Sequence, residues 1–320
     1  MRSRQTSALA SSVAATTDRA TWRDVRAQAE RVLESAGLSG AATEARWLVE
    51  EASGYAGADL VVAEREPAPA RAQQQLNEML ARRCAGEPIQ YVLGSWAFRG
   101  LDLFVDERVL IPRPETEITA EVAIEEAQRL GARRGVADPW SSPDGTTFTV
   151  ADLGTGSGAL ALSLAAELPD AHVWATDVSA DALAVARANL AGAGLPATRV
   201  RLAEGDWFDA LPPELRGRLR MIVTNPPYVA QHELDDLPAE VVAYEPVAAL
   251  SSDPTGFEAI EFIVERAPGW LEPGGVLVCE LAPHQAERAI EHARAAGFAD
   301  ELVRPDLVGR DRVLVARLAG

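Results

Sequence analysis

The pattern that most constrains this fold begins near residue 148, where short apolar stretches alternate with stretches of helical spacing. Such alternation predicts an α/β protein with a mostly parallel sheet and helices on both faces. A helix is predicted over 157–168, and the Ser179 hydroxyl is expected to cap the next helix, which runs to Leu190. The predicted strands are FTVADLG (148–154), HVWATDVS (172–179), one within ATRVRLAEGDWF (197–208), RMIVTNPPY (220–228), VLVCEL (276–281) and DRVLVARL (311–318).

A glycine-rich segment, GTGSGA (154–159), links the first of these strands to its helix. Glycines let a backbone turn sharply and approach a ligand, and the free N–H groups of a helix start face that ligand. Asp177 ends the second strand, where a carboxylate can accept hydrogen bonds from ribose hydroxyls. The segment fits NAD and S-adenosylmethionine equally well, so alone it leaves the cofactor open. Asp152 is either part of this site or a strand-end carboxylate bound by the loop amides.

The third strand leads into GDWF (205–208) at the same edge of the sheet. The carboxyl ends of parallel strands are where such folds bind their ligands. Trp207 can pack on an adenine ring or close its pocket, and Asp206 can accept from an exocyclic amine. A tryptophan is also common in protein cores, but its position at this edge favours a role in the site.

The most specific motif is NPPY (225–228), which follows the fourth strand. Its prolines lack N–H groups and hold the backbone extended. The Asn225 side-chain oxygen and the Pro226 carbonyl can accept both N–H bonds of a planar NH2 group, on which Tyr228 can stack. Because the lone pair of that nitrogen is delocalised, this grip favours a tetrahedral nitrogen that attacks an electrophile. The motif therefore predicts methyl transfer from a sulfonium by positioning and charge stabilisation.

The amino-terminal part of the chain has a different organisation. Residues 1–20 are small and polar and are predicted to form a disordered tail. A small helical domain is predicted over 21–94, because apolar residues recur at helical spacing over 22–33, 42–52 and 70–84.

A β-hairpin linker is predicted over 95–112, with its turn at Arg99 and Gly100. The remaining residues, 113–320, are predicted to form the catalytic domain. A helix is expected from Thr116, and a loop rich in Gly, Pro, Ser and Asp is expected over 133–145.

Composition excludes several classes of protein. The 320 residues contain no lysine, and 30 arginines face 48 acidic residues, which gives a formal net charge of −18. Lysine Schiff-base and P-loop chemistry are therefore excluded. Two cysteines and four histidines have neither the number nor the spacing of a disulfide scaffold or zinc site, so no metal is expected. No apolar run is long enough to span a membrane.

Five sequence strings point further when they are taken together: GEPIQYVLG (86–94), LIPRPETE (110–117), NPPY (225–228), YEP (244–246) and GRDR (309–312). They resemble the peptide-chain release factor glutamine methyltransferase family over nearly the whole chain. The resemblance implies a Rossmann-like class I S-adenosylmethionine-dependent methyltransferase domain with a small N-terminal helical domain and a β-hairpin linker. It also implies that the helical domain recognises the release factor. The string SSDPTG (251–256) departs from the Gly-Gly pair usual at that point in the family.

The resemblance also implies an activity. A methyl group would pass from S-adenosyl-L-methionine to the side-chain amide nitrogen, N5, of the glutamine in the Gly-Gly-Gln loop of class I release factors. The enzyme would be cytoplasmic and would bind neither membranes nor DNA directly.

The site residues follow from the same resemblance. Arg113 and residues 115–117 are expected near the site, or else as a structural linker and helix cap. The catalytic residues would be Asn225, Pro226 and Tyr228, and these three with Pro227 would hold the glutamine. The methyl donor would contact Gly154, Thr155, Gly156, Ser157, Gly158, Asp177, Trp207 and Asn225.

Other functions compete with this one. A DNA adenine methyltransferase uses the same grip on an exocyclic NH2 group of a flipped base. A methyltransferase of other amides and a non-catalytic binding module are further alternatives. An NAD oxidoreductase is disfavoured, because NPPY has no role in hydride transfer.

The distribution of charge separates the glutamine from the DNA base. No arginine or lysine lies between Arg220 and Arg266. This stretch would repel phosphates and attract a protein loop that carries arginines, so it favours the glutamine. Its nine acidic residues are Glu233, Asp235, Asp236, Glu240, Glu245, Asp253, Glu258, Glu261 and Glu265.

Overall fold

A computed structural model describes residues 20–135, 148–251 and 254–320. The chain divides into two compact units, and the boundary in the sequence falls between Gly94 and Ser95. The predicted tail, except for its last residue, and most of the predicted loop at 133–145 lie outside the described residues, as does Asp253.

The first unit is helical. Its helices are α1 (Trp22–Ser35), α2 (Ala41–Ser53), α3 (Ala58–Ala63), α4 (Ala70–Cys84) and α5 (Ile89–Leu93). On α1, the buried residues Trp22, Val25, Ala29 and Leu33 recur every three or four positions and form one apolar face. The Thr21 side chain accepts from the Asp24 backbone N–H, which caps the start of α1. The three longer helices coincide with the three helical patterns of the sequence.

The second unit contains a seven-stranded sheet and a separate hairpin. The hairpin consists of β1 (Ser95–Phe98) and β2 (Leu101–Phe104), paired antiparallel. The strand order in the sheet is β5-β4-β3-β6-β7-β9-β8. Its strands are β3 (Phe148–Leu153), β4 (Ala171–Asp177), β5 (Val200–Glu204), β6 (Leu219–Thr224), β7 (Leu271–Glu280), β8 (Asp300–Pro305) and β9 (Asp311–Arg317).

Five strands, β3 to β7, pair in parallel, whereas β9 pairs antiparallel with both β7 and β8. The prediction of a mostly parallel sheet is therefore confirmed. The sequence interpretation missed β8, because its DELVRP sequence is charged and only half-buried at the edge of the sheet. It also extended the fourth strand through NPPY, whereas β6 ends at Thr224, before the prolines.

Helices cover both faces of the sheet, as predicted. One apolar cluster joins Val150, Val173 and Val223 to helices α6 (Pro114–Arg129) and α7 (Ala159–Glu167). A second cluster joins the alternate strand residues Ala151 and Ile222 to other helices. The remaining helices are α8 (Ala180–Gly192), α9 (Ala239–Tyr244), α10 (Val247–Leu250), α11 (Glu258–Arg266) and α12 (Ala286–Ala295).

The starts of α7 and α8 test two local predictions. Ser179 caps α8, and its side chain accepts from the Ala182 backbone N–H. Helix α7 starts at Ala159 rather than at Ser157, because Gly158 adopts a left-handed conformation with φ of +86°.

The hairpin belongs to the second unit and is bound to it through Asn189 of α8. The backbone N–H of Phe104 donates to Asn189 Oδ1 at 2.7 Å, and Asn189 Nδ2 donates back to the Phe104 carbonyl at 3.0 Å. The same Nδ2 donates to the Ser157 carbonyl at 2.8 Å. One side chain thus fixes the hairpin against the glycine segment.

Among the residues that the structure describes, no helix is long and apolar enough to cross a lipid bilayer.

Gly256 has a φ of +71°, and a Cβ there would lie 2.5 Å from the Tyr228 carbonyl oxygen. We expect Gly256→Ala to lower the free energy of unfolding by about 2 kcal/mol or more, because backbone must move to admit the methyl group. Gly192→Ala is the control, since Gly192 ends α8 and nothing lies within 4 Å of its Cβ position. Thermal unfolding of the full chain measures both. Equal melting temperatures for the two variants would contradict the expectation.

Candidate active site

The candidate site lies where β3 and β6 end. The strands that follow β3 in the chain, β4 and β5, lie on one side of it in the sheet, whereas β6 and β7 lie on the other side. Ligands of open α/β sheets bind at the strand ends where the order changes side in this way. In the parallel register Leu153 pairs with Thr224, and the Thr224 hydroxyl donates to the Leu153 carbonyl at 2.7 Å. The glycine segment and the NPPY motif therefore start side by side.

A cavity of about 240 Å³ opens at this edge. The structure brings most of the predicted donor-binding residues together around it: Gly154, Thr155, Gly156, Ser157, Asp177, Trp207 and Asn225. Asp206 and Pro227 also line the cavity, whereas Gly158 does not. Gly158 instead is the N-cap residue just before α7, and a Cβ there would lie 3.5 Å from the Ala186 Cβ.

Several cavity residues were not identified from the sequence. They come from the segment after the hairpin, from the start of α8 and the residue before it, and from the α10 region: Arg108, Val109, Leu110, Pro112, Val178, Ser179, Ala182, Pro246, Ala248 and Ala249. Thr116, which was expected near the site, lines the cavity as well. The strings LIPRPETE and YEP contain some of these residues. No pattern in the sequence indicates that the two strings face one cavity.

Asp177 connects the glycine segment to α8. Its Oδ2 accepts from the Gly156 backbone N–H and its Oδ1 from the Ser179 N–H, both at 2.9 Å. Burial raises the pKa of this carboxyl, and the backbone donors oppose the rise. Each oxygen keeps a lone pair for a ligand hydroxyl.

Asp152 is fully buried beneath the glycine segment. Its Oδ2 accepts from the Thr155 hydroxyl at 2.6 Å and from the Ala161 backbone N–H at 3.1 Å. Desolvation raises the pKa of Asp152 to about 7. Asp152 does not line the cavity, so its place is that of a strand-end carboxylate, held by a hydroxyl and a helix amide.

Trp207 closes one side of the cavity in a left-handed conformation with φ of +45°. Its ring lies so near Gly154 that a Cβ at Gly154 would be 3.3 Å from the ring carbon Cζ3. Gly156, with φ of +55°, would direct a Cβ into open space. Gly154 leaves room for the indole and Gly156 leaves room for a ligand. The glycine segment therefore fits an adenosine-type donor, as predicted.

A second cavity, of about 370 Å³, is lined by Asn225 and other residues of the NPPY motif. Arg113, Pro226 and Tyr228 line it together with apolar residues such as Leu237 and Val241. Asn225 lines both cavities. Leu110 and Ala249 also line both cavities, and Asn225 is the polar residue of these three.

Side chains behind Asn225 restrain the motif. Asn225 Nδ2 donates to the Thr116 hydroxyl at 3.1 Å. The Tyr228 hydroxyl donates to Oε1 of the buried Glu280 at 3.2 Å. Burial and the neighbouring Glu280 carboxyl raise the pKa of Tyr228 above its usual range, so this hydroxyl stays protonated. The main-chain oxygen of Tyr228 accepts from Gln285 Nε2 at 3.0 Å.

Arg113 and Glu245 connect the LIPRPETE and YEP strings across 132 residues of sequence. Arg113 donates to Glu245 Oε1, and the Ile111 backbone N–H donates to Oε2 at 3.2 Å. Glu245 is buried, which raises its pKa, while Arg113 lowers it.

The acidic residues that flank Thr116 have structural partners. Glu115 pairs with Arg310 at 3.2 Å, and Glu117 accepts from the Arg99 backbone N–H at 2.9 Å. Within 115–117, Thr116 is the residue that lines the cavity beside the glycine segment.

Two family models match the sequence. The model for the PrmC N-terminal domain matches residues 24–94, and the model for the methyltransferase small domain matches residues 142–253. Both matches agree with the resemblance seen in the sequence motifs.

Curated relatives match over most of the chain. A release factor glutamine methyltransferase from Burkholderia pseudomallei is 41% identical over 285 residues, covering 87% of this chain and 93% of that protein. Another from Moorella thermoacetica is 41% identical over 299 residues, covering 92% of this chain and 98% of the relative.

Solved structures support the fold. The hMettl16 catalytic domain, in complex with MAT2A 3′UTR hairpin 6, has a TM-score of 0.51 at 15% identity and covers 76% of this chain and 82% of that chain. The predicted class I methyltransferase fold is thus confirmed. Because relatives about 40% identical match nearly its whole length, this chain belongs to the release factor glutamine methyltransferase family.

Proposed function

We propose that this protein methylates N5 of the glutamine in the Gly-Gly-Gln loop of class I release factors, with S-adenosyl-L-methionine as the methyl donor. The observation that carries the proposal is that Asn225, a residue able to accept hydrogen bonds, lines both cavities. One cavity has the residues of a nucleoside site, and the other ends on the NPPY motif.

The residues of the first cavity suit an adenosine-type donor. Asp177 would accept from the ribose hydroxyls, Trp207 would pack on the adenine, and Asp206 would accept from its amine. The glycine segment would let the donor approach the backbone. S-adenosylmethionine, when bound there, supplies a methyl group on a sulfonium.

The NPPY motif would bind the glutamine amide in the second cavity. The Asn225 Oδ1 and the Pro226 carbonyl would each accept one N–H of the amide. This pair of acceptors stabilises the positive charge that develops on nitrogen as its lone pair leaves the amide π system. Tyr228, fixed through its hydroxyl to Glu280, forms part of the cavity wall.

Charge around the second cavity favours a protein over DNA. Glu240 lines the cavity, and Asp235 and Asp236 are exposed nearby in the chain. Arg113, the basic residue of the cavity, is already paired with Glu245. An acidic surface attracts an arginine-bearing loop and repels phosphates, so the DNA adenine alternative is not favoured.

The proposal also includes a role for the first unit and a location in the cell. The first unit, which matches the PrmC N-terminal domain, would recognise the release factor. A cytoplasmic location would suit the two thiols, Cys84 and Cys279, neither of which forms a disulfide.

Replacing Asn225 tests the amide grip. We expect Asn225→Ala to slow methyl transfer by about 100- to 1,000-fold, because one of two charge-stabilising acceptors is lost. The assay follows label from S-adenosylmethionine into purified release factor. A factor with Ala in place of the loop glutamine is the substrate control. Equal labelling of that control would refute the glutamine assignment, and labelling of duplex DNA instead would support the adenine alternative.

Replacing Asp177 tests the donor cavity. Asp177→Ala should weaken S-adenosylmethionine binding by about 10- to 100-fold, because hydrogen bonds to a charged group are lost. Glu204→Ala is a matched control, since Glu204 pairs with Asp177 in the sheet register but is exposed and does not line the cavity. Isothermal calorimetry measures both affinities. Equal losses in the two variants would mean that Asp177 does not hold the donor.

The affinity for the donor should also depend on pH. Burial raises the pKa of Asp177, so its protonation on acidification begins at a higher pH than for a free aspartate, whose pKa is about 3.9. Because the ionised carboxylate is the form that accepts from both hydroxyls, affinity should fall as the pH is lowered through the raised pKa. Calorimetry between pH 8 and pH 5 measures this fall, which should be smaller in Asp177→Asn. An identical pH profile for that variant would exclude Asp177 as the cause.

A further inference from the structure

The turn between β8 and β9, residues 306–310, carries two adjacent apolar side chains that are exposed to solvent. Leu307 is 90% exposed and Val308 is 74% exposed. A single exposed aliphatic residue is ordinary on a protein surface, whereas contiguous ones near a functional site point to an interaction surface. The β8–β9 turn is therefore a candidate for contact with another molecule.

The turn lies at the edge of the sheet where the candidate site opens. Strand β9 is antiparallel to β7, so β9 begins where β7 ends, and the Leu281 backbone N–H donates to the Arg312 carbonyl at 2.9 Å. In the sheet register, Thr224 at the end of β6 pairs with Cys279 of β7, which in turn pairs with Leu314 of β9. Because neighbouring strands lie about 4.8 Å apart, β9 runs about 10 Å from β6, the strand that leads into NPPY.

Hydrogen bonds within the turn fix its backbone. Asp306 Oδ1 accepts from the backbone N–H groups of Val308 and Arg310, at 3.0 and 2.9 Å. The Asp306 N–H donates to the Arg310 carbonyl at 2.8 Å, and the Gly309 N–H donates to the Asp306 carbonyl at 3.0 Å. A backbone held in this way presents its two apolar residues in one arrangement before a partner binds, which lowers the entropy cost of association.

Ion pairs neutralise the arginine of the turn and connect it to the site. Arg310 donates to Asp306 Oδ2 at 2.8 Å and to Glu115 Oε1 at 3.2 Å. Glu115 lies in the first turn of α6, and its neighbour Thr116 lines the first cavity and accepts from Asn225. The exposed tip of the turn therefore offers a partner apolar surface rather than unpaired charge.

Other exposed apolar residues of the second unit lie around the two cavities. Val178 lines the first cavity, Val247 lies between two residues of that cavity, and Val242 follows a residue of the second cavity. The surroundings of the site are thus apolar at several points, and the β8–β9 turn lies at the same edge of the sheet.

We propose that the β8–β9 turn is a docking site for the release factor and that it binds an apolar patch beside the Gly-Gly-Gln loop. This inference rests on the proposed function, because that function brings a folded protein to this edge of the sheet. One glutamine side chain enters the second cavity, so the surface that flanks it on the factor must lie against the surroundings of the site. The contacting patch is apolar, because polar groups covered by Leu307 and Val308 would lose hydrogen bonds to water and gain none.

The double variant Leu307→Ser with Val308→Ser tests the docking site. We expect it to raise the KM for release factor by about 10- to 100-fold, because two apolar contacts are lost from the interface. The kcat at saturating factor and the Kd for S-adenosylmethionine should stay within about twofold of the wild-type values, since such contacts hold the substrate and the transition state equally. The melting temperature should not change, because both side chains are exposed in the free protein. Label transfer at varied factor concentrations, calorimetry and thermal unfolding measure these four quantities.

Two single variants serve as controls. Leu195→Ser changes a half-exposed leucine that precedes β5, at the opposite edge of the sheet, and should leave the KM for release factor unchanged. Leu307→Met keeps an apolar side chain of similar volume and should keep KM near the wild-type value.

The outcomes separate this inference from the function on which it rests. An unchanged KM in the folded double variant, or an equal rise in Leu195→Ser, would overturn the docking site. A wild-type dimer that the double variant dissociates in analytical ultracentrifugation would also overturn it, because the turn would then bind a second copy of the chain. If the wild-type protein transfers no label to release factor, the proposed function itself fails.

Discussion

The parallel strands β3, β4, β5 and β6 all end at one edge of the sheet, and the site depends on this arrangement. Strand ends carry backbone groups that the sheet does not pair, so they are available to ligands. The register of Leu153 with Thr224 places the glycine segment beside NPPY, although the chain between them is about 70 residues long. A donor and an acceptor bound at these two strand ends are brought together by the sheet itself.

Three buried carboxyl groups support the loops at this edge. Asp152 lies under the glycine segment, Glu245 binds Arg113 and the Ile111 amide, and Glu280 lies behind Asn225 and Tyr228. Burial of a carboxyl costs free energy unless hydrogen bonds or opposite charge offset that cost. Three of the groups that offset it, Thr155, Arg113 and Tyr228, line the cavities, so the same contacts hold these parts of the site in place before any ligand arrives.

Most of the sheet could be predicted from the sequence, because buried parallel strands are nearly continuous apolar runs. The exception, β8, lies at the edge and mixes charged with apolar residues, so its pattern resembles that of a loop. The chemically distinctive residues of both cavities could also be found, since GTGSGA and NPPY carry unusual backbone requirements. Thr116 could not be linked to Asn225, nor Glu280 to Tyr228, because contacts across 109 and 52 residues leave no local signal.

The sequence by itself therefore determined the class of fold, the glycine cradle and the acceptor chemistry of NPPY, because each depends on local periodicity or on the backbone properties of Gly and Pro. Only the tertiary structure decided that Asn225 lines two cavities, that Gly158 caps the start of α7 and lines neither cavity, and that the Asn225 side chain bonds to Thr116. Those features depend on the sheet register and on buried hydrogen bonds between distant residues. Such bonds arise when the strands pack, and no short stretch of sequence contains both of their partners.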